Sequence, residues 1–238
     1  MSYSPFQIVR FPLAASLLAL ANLCAAAPQA AAPAPSAAAA TPGDPYTLNT
    51  CPVSGEALDA DAVTWVIDAQ TDAANEGREL RFCCPKCVEA FKAEPKRYLA
   101  EVDAKMVQEQ LKTYPVLNCV VMPDDELADP RGPDAMDDKN VIVGNRLFRL
   151  CCSKCIKKLR ANPAKYFAAT DAAVIAMQKP TYALTTCPIS GQPLSEGAKD
   201  LVIASRLVRV CCPKCEAGVR KDPNAAFKKI DAAAAAKK

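Results

Sequence analysis

The chain has 238 residues, among them 13 cysteines and no histidine, with 29 basic against 26 acidic residues and a formal charge of +3. Without histidine there is no Ser-His-Asp or Cys-His catalysis, no Cys2His2 finger and no imidazole metal site. Cysteine is 13 of 238 residues, below the ~8 to 10% of a dense disulfide scaffold but well above ordinary use, so these residues need a reason. Apolar residues make up 51% and charged residues 23%, the proportions of a folded chain. The basic residues do not gather into one stripe, so no nucleic acid is expected as partner.

Residues 1–27 read as a secretory signal peptide: Arg10, then the apolar run from Phe11 to Leu20, then small residues through Ala27. Ala-x-Ala cleavage fits after Ala21 or near Ala26. Cys24 lies close by, but Leu23 precedes it where a lipoprotein needs a small residue, which argues against a lipid anchor. No later stretch reaches the ~18 consecutive apolar residues of a membrane helix. The expected location is therefore outside the cytoplasm, periplasmic or secreted, in a bacterial envelope. Residues 28–45 are almost all Ala and Pro and read as a semi-extended linker. Folding is expected to start near Tyr46.

From there the cysteines expose an internal repeat. Cys51, Cys119 and Cys187 are 68 residues apart, and the clusters Cys83-Cys84-x-x-Cys87, Cys151-Cys152-x-x-Cys155 and Cys211-Cys212-x-x-Cys215 share one grammar. The lone cysteine precedes its cluster by 32 residues in the first two copies and by 24 in the third, which reads as eight residues missing from one loop. Three copies follow: 46–113, 114–181 and 182–238, the last ending in an Ala/Lys tail. Tyr46, Tyr114 and Tyr182 open them; Pro95, Pro163 and Pro223 each stand eight residues after the last cysteine.

Period and punctuation predict an α+β unit. Cys51-Pro-Val-Ser-Gly and Cys187-Pro-Ile-Ser-Gly are tight-turn sequences. Val63 to Ile67 with Glu79 to Cys83 reads as a hairpin, matched by Val141–Val143 with Arg146–Leu150 and by Leu201–Ile203 with Leu207–Val210. Pro85, Ser153 and Pro213 mark helix starts, where a missing N–H costs nothing. Val88 and Phe91 should face inward. Pro95 and its equivalents open a second helix, with Tyr98, Leu99, Val102 and Met106 on one side, running toward the next copy.

Each copy is small and poor in large apolar side chains, so its core is marginal without a staple. Four thiols per copy supply one: Cys51, Cys83, Cys84 and Cys87; Cys119, Cys151, Cys152 and Cys155; Cys187, Cys211, Cys212 and Cys215. A turn cysteine plus Cys-x-x-Cys at a helix start brings distant segments together as a thiolate metal site requires. The N–H groups at that helix end favour thiolate. All-sulfur ligation selects soft or borderline ions, Zn(II), Cu(I), Cd(II) or Hg(II), up to one per copy. Adjacent residues on a strand point to opposite faces, so the sequence leaves open whether all four sulfurs coordinate or three do and one stays spare. Two further readings stand beside metal. Two disulfides per copy would give a stapled extracytoplasmic interaction module. Cys84-Pro-Lys-Cys87 and Cys212-Pro-Lys-Cys215 also have the form of a redox dithiol, although the βαβ context of such a motif is missing and no enzyme is expected.

Each copy resembles a YHS or TRASH type metal-binding domain. The resemblance rests on Thr50-Cys-Pro-Val-Ser-Gly-Glu-Ala-Leu, Arg81-Phe-Cys-Cys-Pro-Lys-Cys-Val-Glu-Ala-Phe and Pro95-Lys-Arg-Tyr-Leu, with counterparts over 114–173 and 182–232. It implies a treble-clef-like fold and a role in heavy-metal sensing, trafficking or resistance, with another envelope metal-handling protein as a conceivable partner. The family often carries a cysteine before the turn glycine, where Ser54 and Ser190 stand here. Copy two departs further, with Cys119-Val-Val-Met-Pro in place of the turn and an acidic stretch at 124–138, read as a solvated loop. Met122 reads as loop packing, Trp65 as core of the first hairpin, and the lysines and arginines after each cluster as a solvated helix face.

Overall fold

The structure, a computed structural model, describes residues 43–136 and 138–237. The signal-peptide reading, Cys24 and most of the linker fall outside the described residues. The same element order recurs in each copy: a two-stranded antiparallel hairpin, a short helix beginning two residues after its last strand residue's neighbouring cysteine, and a second helix. Copy one has β1 (Val63–Val66), a one-turn helix α1 (Ala69–Asp72), β2 (Glu79–Phe82), α2 (Pro85–Ala93) and α3 (Pro95–Leu111). Copy two has β3 (Lys139–Val143), β4 (Arg146–Leu150), α4 (Ser153–Ala161) and α5 (Pro163–Gln178). Copy three has β5 (Lys199–Ile203), β6 (Arg206–Val210), α6 (Pro213–Lys221) and α7 (Pro223–Ala235). Small antiparallel sheets and helices make the class α+β. No helix among the described residues is long and apolar enough to cross a membrane.

Strands and helix starts lie where alternation and proline put them. Proline occupies the first turn of α2, α3, α5, α6 and α7, where its locked φ suits the helix. Val88 and Phe91 are buried on α2, and Leu99, Val102 and Met106 on α3. Trp65 is only half-buried: it lies edge-on to Phe82 and Phe91 at the rim of the core.

The equal spacing of 32 in copies one and two hides two different insertions. Val63, Lys139 and Lys199 are equivalent, because each pairs with the residue just before the double cysteine. In copy one the additional residues lie inside the hairpin, between Val66 and Glu79. In copy two they lie ahead of it, between Cys119 and Lys139, while the hairpin closes on Gly144-Asn145. Copy three has neither and closes on Ala204-Ser205. Both tight turns need left-handed backbone, with φ of 51° and 63° in the first and 49° and 59° in the second. Glycine and asparagine tolerate this; alanine and serine do so at a cost of about 1 kcal/mol or more each.

The copies share their interior. Ile142 and Leu147 of the second hairpin belong to the core built by α3 and the first hairpin. Gln110 at the end of α3 accepts the Leu147 N–H at 2.8 Å and donates to the Asn145 carbonyl at 2.8 Å. Gln178 at the end of α5 repeats this on the third hairpin, accepting from Leu207 N–H at 2.7 Å. A second recurring pair joins the start of the last strand to the second helix: Arg78 with Asp103, Arg146 with Asp171 and Arg206 with Asp231.

The folded part begins before Tyr46. Asp44 and Pro45 are buried, and Asp44 sits where all three copies meet. Its carboxylate accepts two bonds from the Arg146 guanidinium, at 2.7 and 2.8 Å, and one from Ala204 N–H at 2.7 Å. Asn145 joins the same cluster, donating to the Asp44 and Glu79 carbonyls and accepting from Arg78 Nε at 2.7 Å. Arg146 and Asp44 have side chains only 3% exposed, so desolvation is offset by paired, bidentate geometry.

Candidate metal centres

Three elements deliver one sulfur each. In copy one the Cys51 turn is closed by Gly55 N–H bonding the Cys51 carbonyl at 3.0 Å and Cys51 N–H bonding the Glu56 carbonyl at 2.8 Å. Gly55 has φ +73°, which is why the turn ends on glycine. Cys83 follows the end of β2 and Cys87 lies in the first turn of α2. The sulfurs of Cys51, Cys83 and Cys87 all lie within 4.8 Å of one another, as do those of Cys119, Cys151 and Cys155 and those of Cys187, Cys211 and Cys215. Cys83 and Cys87 are 3.6 Å apart, and their counterparts 3.7 Å in both other copies. With metal–sulfur bonds of ~2.3 Å, sulfurs sharing one ion stand about 4 Å apart. The triads thus have the dimensions of soft-ion sites. Among the described residues these are the three close-set groups of metal-ligating atoms, and the 124–138 loop contributes none.

The double cysteine splits between two environments. Cys83 points into the triad, whereas Cys84 occupies the N-cap of α2 in extended conformation, φ −158° and ψ 163°. Its sulfur contacts that of Cys87 at 3.7 Å from outside the triad; Cys152 and Cys212 do the same at 3.5 and 3.6 Å. Both vicinal sulfurs thus touch Cys87, but only that of Cys83 belongs to the set of mutually close sulfurs. All twelve of these cysteines are free thiols, the turn and helix members buried and the vicinal pair half-buried.

Opposite the triad stands the serine of the turn. Ser54 Oγ lies 3.4 Å from Cys83 Sγ and Ser190 Oγ 3.3 Å from Cys211 Sγ, contacts that the sequence reading did not assign. The side chain before the turn glycine therefore does face the site, as a hydroxyl.

The turn also sets the charge. Burial works to raise the Cys51 pKa, but the Ser54 hydroxyl and the N–H groups of Ser54, Cys83 and Val53 outweigh it and bring it down to about 7. Cys187 is likewise desolvated, yet the N–H and hydroxyl of Ser190 with the N–H groups of Cys211 and Ile189 bring it down to about 6. Burial, reinforced by neighbouring sulfur, pushes Cys87 and Cys215 up to about 12 and Cys155 up to about 11. In copies one and three, a turn thiol that ionises readily beside thiols that keep their protons is a set that a cation completes by displacing those protons.

Copy two is built differently. Lacking glycine, its turn takes one more residue: Cys119 N–H bonds the Asp125 carbonyl at 2.9 Å, and Asp125 N–H bonds the Met122 carbonyl at 2.9 Å. The Asp125 carboxylate stands against Cys151 and, together with burial, pushes that thiol up from its ordinary value. Met122 is exposed instead of packed. The basic residues after each cluster, including Lys86, Lys92, Lys154, Lys157, Lys214 and Arg220, are exposed as a solvated face.

No protein-family model, curated protein or solved structure matches the chain.

Proposed function

We propose that the protein is an exported soft-metal-binding protein of the bacterial envelope, with three YHS/TRASH-type, treble-clef-like copies that sequester a thiophilic ion or hand it on, each holding up to one Zn(II) or Cu(I). The observation that carries this reading is the threefold recurrence of one geometry: a turn sulfur, a post-strand sulfur and a helix-start sulfur within 4.8 Å. Sulfur donors without nitrogen select soft and borderline cations over Ca(II) or Mg(II). The N–H groups around Cys51 and Cys187 favour an anionic first ligand in a protein that has no histidine to offer. The reaction supported is binding without turnover, so the protein is read as no enzyme.

Native mass spectrometry with thiol counting on protein purified under reducing conditions tests this. The expected result is up to three Zn(II) or Cu(I) per chain, lost together with thiol protection on acidification. Protein from its own compartment that carries six disulfides and no metal would replace this reading with a stapled interaction module.

A further inference from the structure

We infer that Cys84, Cys152 and Cys212 are exchange ligands, which pass a soft ion between the buried triad and an incoming acceptor and do not hold it at rest. This rests on the metal-binding reading above. In each copy the vicinal cysteine is excluded from the set of mutually close sulfurs, yet its own sulfur lies 3.5–3.7 Å from one triad member, the helix cysteine Cys87, Cys155 or Cys215. That distance is short enough for both sulfurs to bond one ion in passing, given metal–sulfur bonds of ~2.3 Å. The vicinal thiol is half-buried while the helix cysteine beside it is buried, so solvent reaches the vicinal sulfur more readily than the triad sulfur it touches. The vicinal cysteine stands at the N-cap, facing the N–H groups of the helix's first turn, and no side-chain capping bond fixes it there in any copy. The same placement in all three copies, two of them with proline and one with serine following, argues for a requirement beyond helix initiation.

The step is a ligand substitution without redox change. The Cys84 thiol gives its proton to solvent as its sulfur bonds the ion; the Cys87 sulfur releases the ion and takes up a proton. An acceptor thiolate or chelator then completes the transfer from the exposed side. Breaking a metal–sulfur bond with a new one already formed keeps the coordination number from falling, which lowers the barrier.

The test uses the full chain, Cu(I) as probe and a chromophoric Cu(I) chelator as acceptor, comparing wild type with the triple variant Cys84→Ser, Cys152→Ser, Cys212→Ser. Serine is a favoured N-cap, so the helices should form at least as well; the alanine triple variant checks that the new hydroxyls do not ligate. The expected result is unchanged copper stoichiometry in both variants with transfer slowed by roughly tenfold or more. If the variants lose copper, the vicinal cysteines are resident ligands and this inference falls while the metal-binding reading stands. Equal transfer rates at full stoichiometry also overturn it. A wild type that takes up no copper removes the metal-binding reading itself.

Discussion

The side-chain oxygen of Gln110 accepts the backbone N–H of Leu147 at 2.8 Å, so the last turn of α3 in copy one closes the hairpin of copy two. Gln110, Leu147 and Asn145 are all buried. Gln110→Ala would leave the Leu147 N–H and the Asn145 carbonyl without partners in a dry site, a cost of about 1–3 kcal/mol. A urea or thermal unfolding series should show that loss, and a smaller one for Gln178→Ala, whose second bond, to the Ser205 carbonyl, is 3.5 Å long.

Arg146 is the most heavily used side chain of the shared interior. It binds Asp44 through two bonds, reaches the Val202 carbonyl at 2.6 Å, pairs with Asp171 and lies over the Phe167 ring at 4.5 Å. Arg146→Met keeps volume but strands the Asp44 carboxylate in the core, and should cost about 3–5 kcal/mol. Combining it with Asp44→Asn should recover part of that loss, which a double-mutant cycle measures.

Asp200 gives an acid-dependent contribution. Burial alone would raise its pKa, but Lys179 at 2.7 Å and Arg209 at 2.8 Å hold it below the ordinary carboxylate value. A depressed folded-state pKa means stabilisation that is present above the unfolded value, ~3.9, and lost as pH falls through the lower folded value. Asp200→Asn should therefore reduce stability by about 1 kcal/mol at neutral pH. The difference from wild type should shrink below about pH 4, as thermal melts across pH will show.

Much of the site is written locally, which is why it could be read without coordinates. Cys51-Pro-Val-Ser-Gly specifies its own turn, β2 ends beside its cysteines, and Pro85 starts the helix that carries Cys87. What the sequence left open was the partition of Cys83 and Cys84, because it depends on the backbone angles of a two-residue bend. The eight-residue insertions misled because equal spacing arises from a long hairpin loop in copy one and a long approach in copy two. The meeting point of the copies was hidden for another reason: Asp44 and Arg146 are 102 residues apart. A signal was present in the recurrence of Arg and Asp at a separation of 25, from Arg78 and Asp103 to Arg206 and Asp231.

Because each triad is assembled within one copy, the sites should act separately. Cys119→Ser removes the turn sulfur of copy two and should lower metal stoichiometry by one ion per chain, leaving the affinities of copies one and three within about twofold. Competitive titration with a chromophoric chelator measures both.

The central claim is that each copy holds one soft ion through sulfur alone. X-ray absorption at the copper edge of the Cu(I)-loaded protein tests it most directly: a first shell of about three sulfurs and no nitrogen or oxygen, at roughly 2.3 Å, is predicted. A shell dominated by nitrogen or oxygen would contradict it.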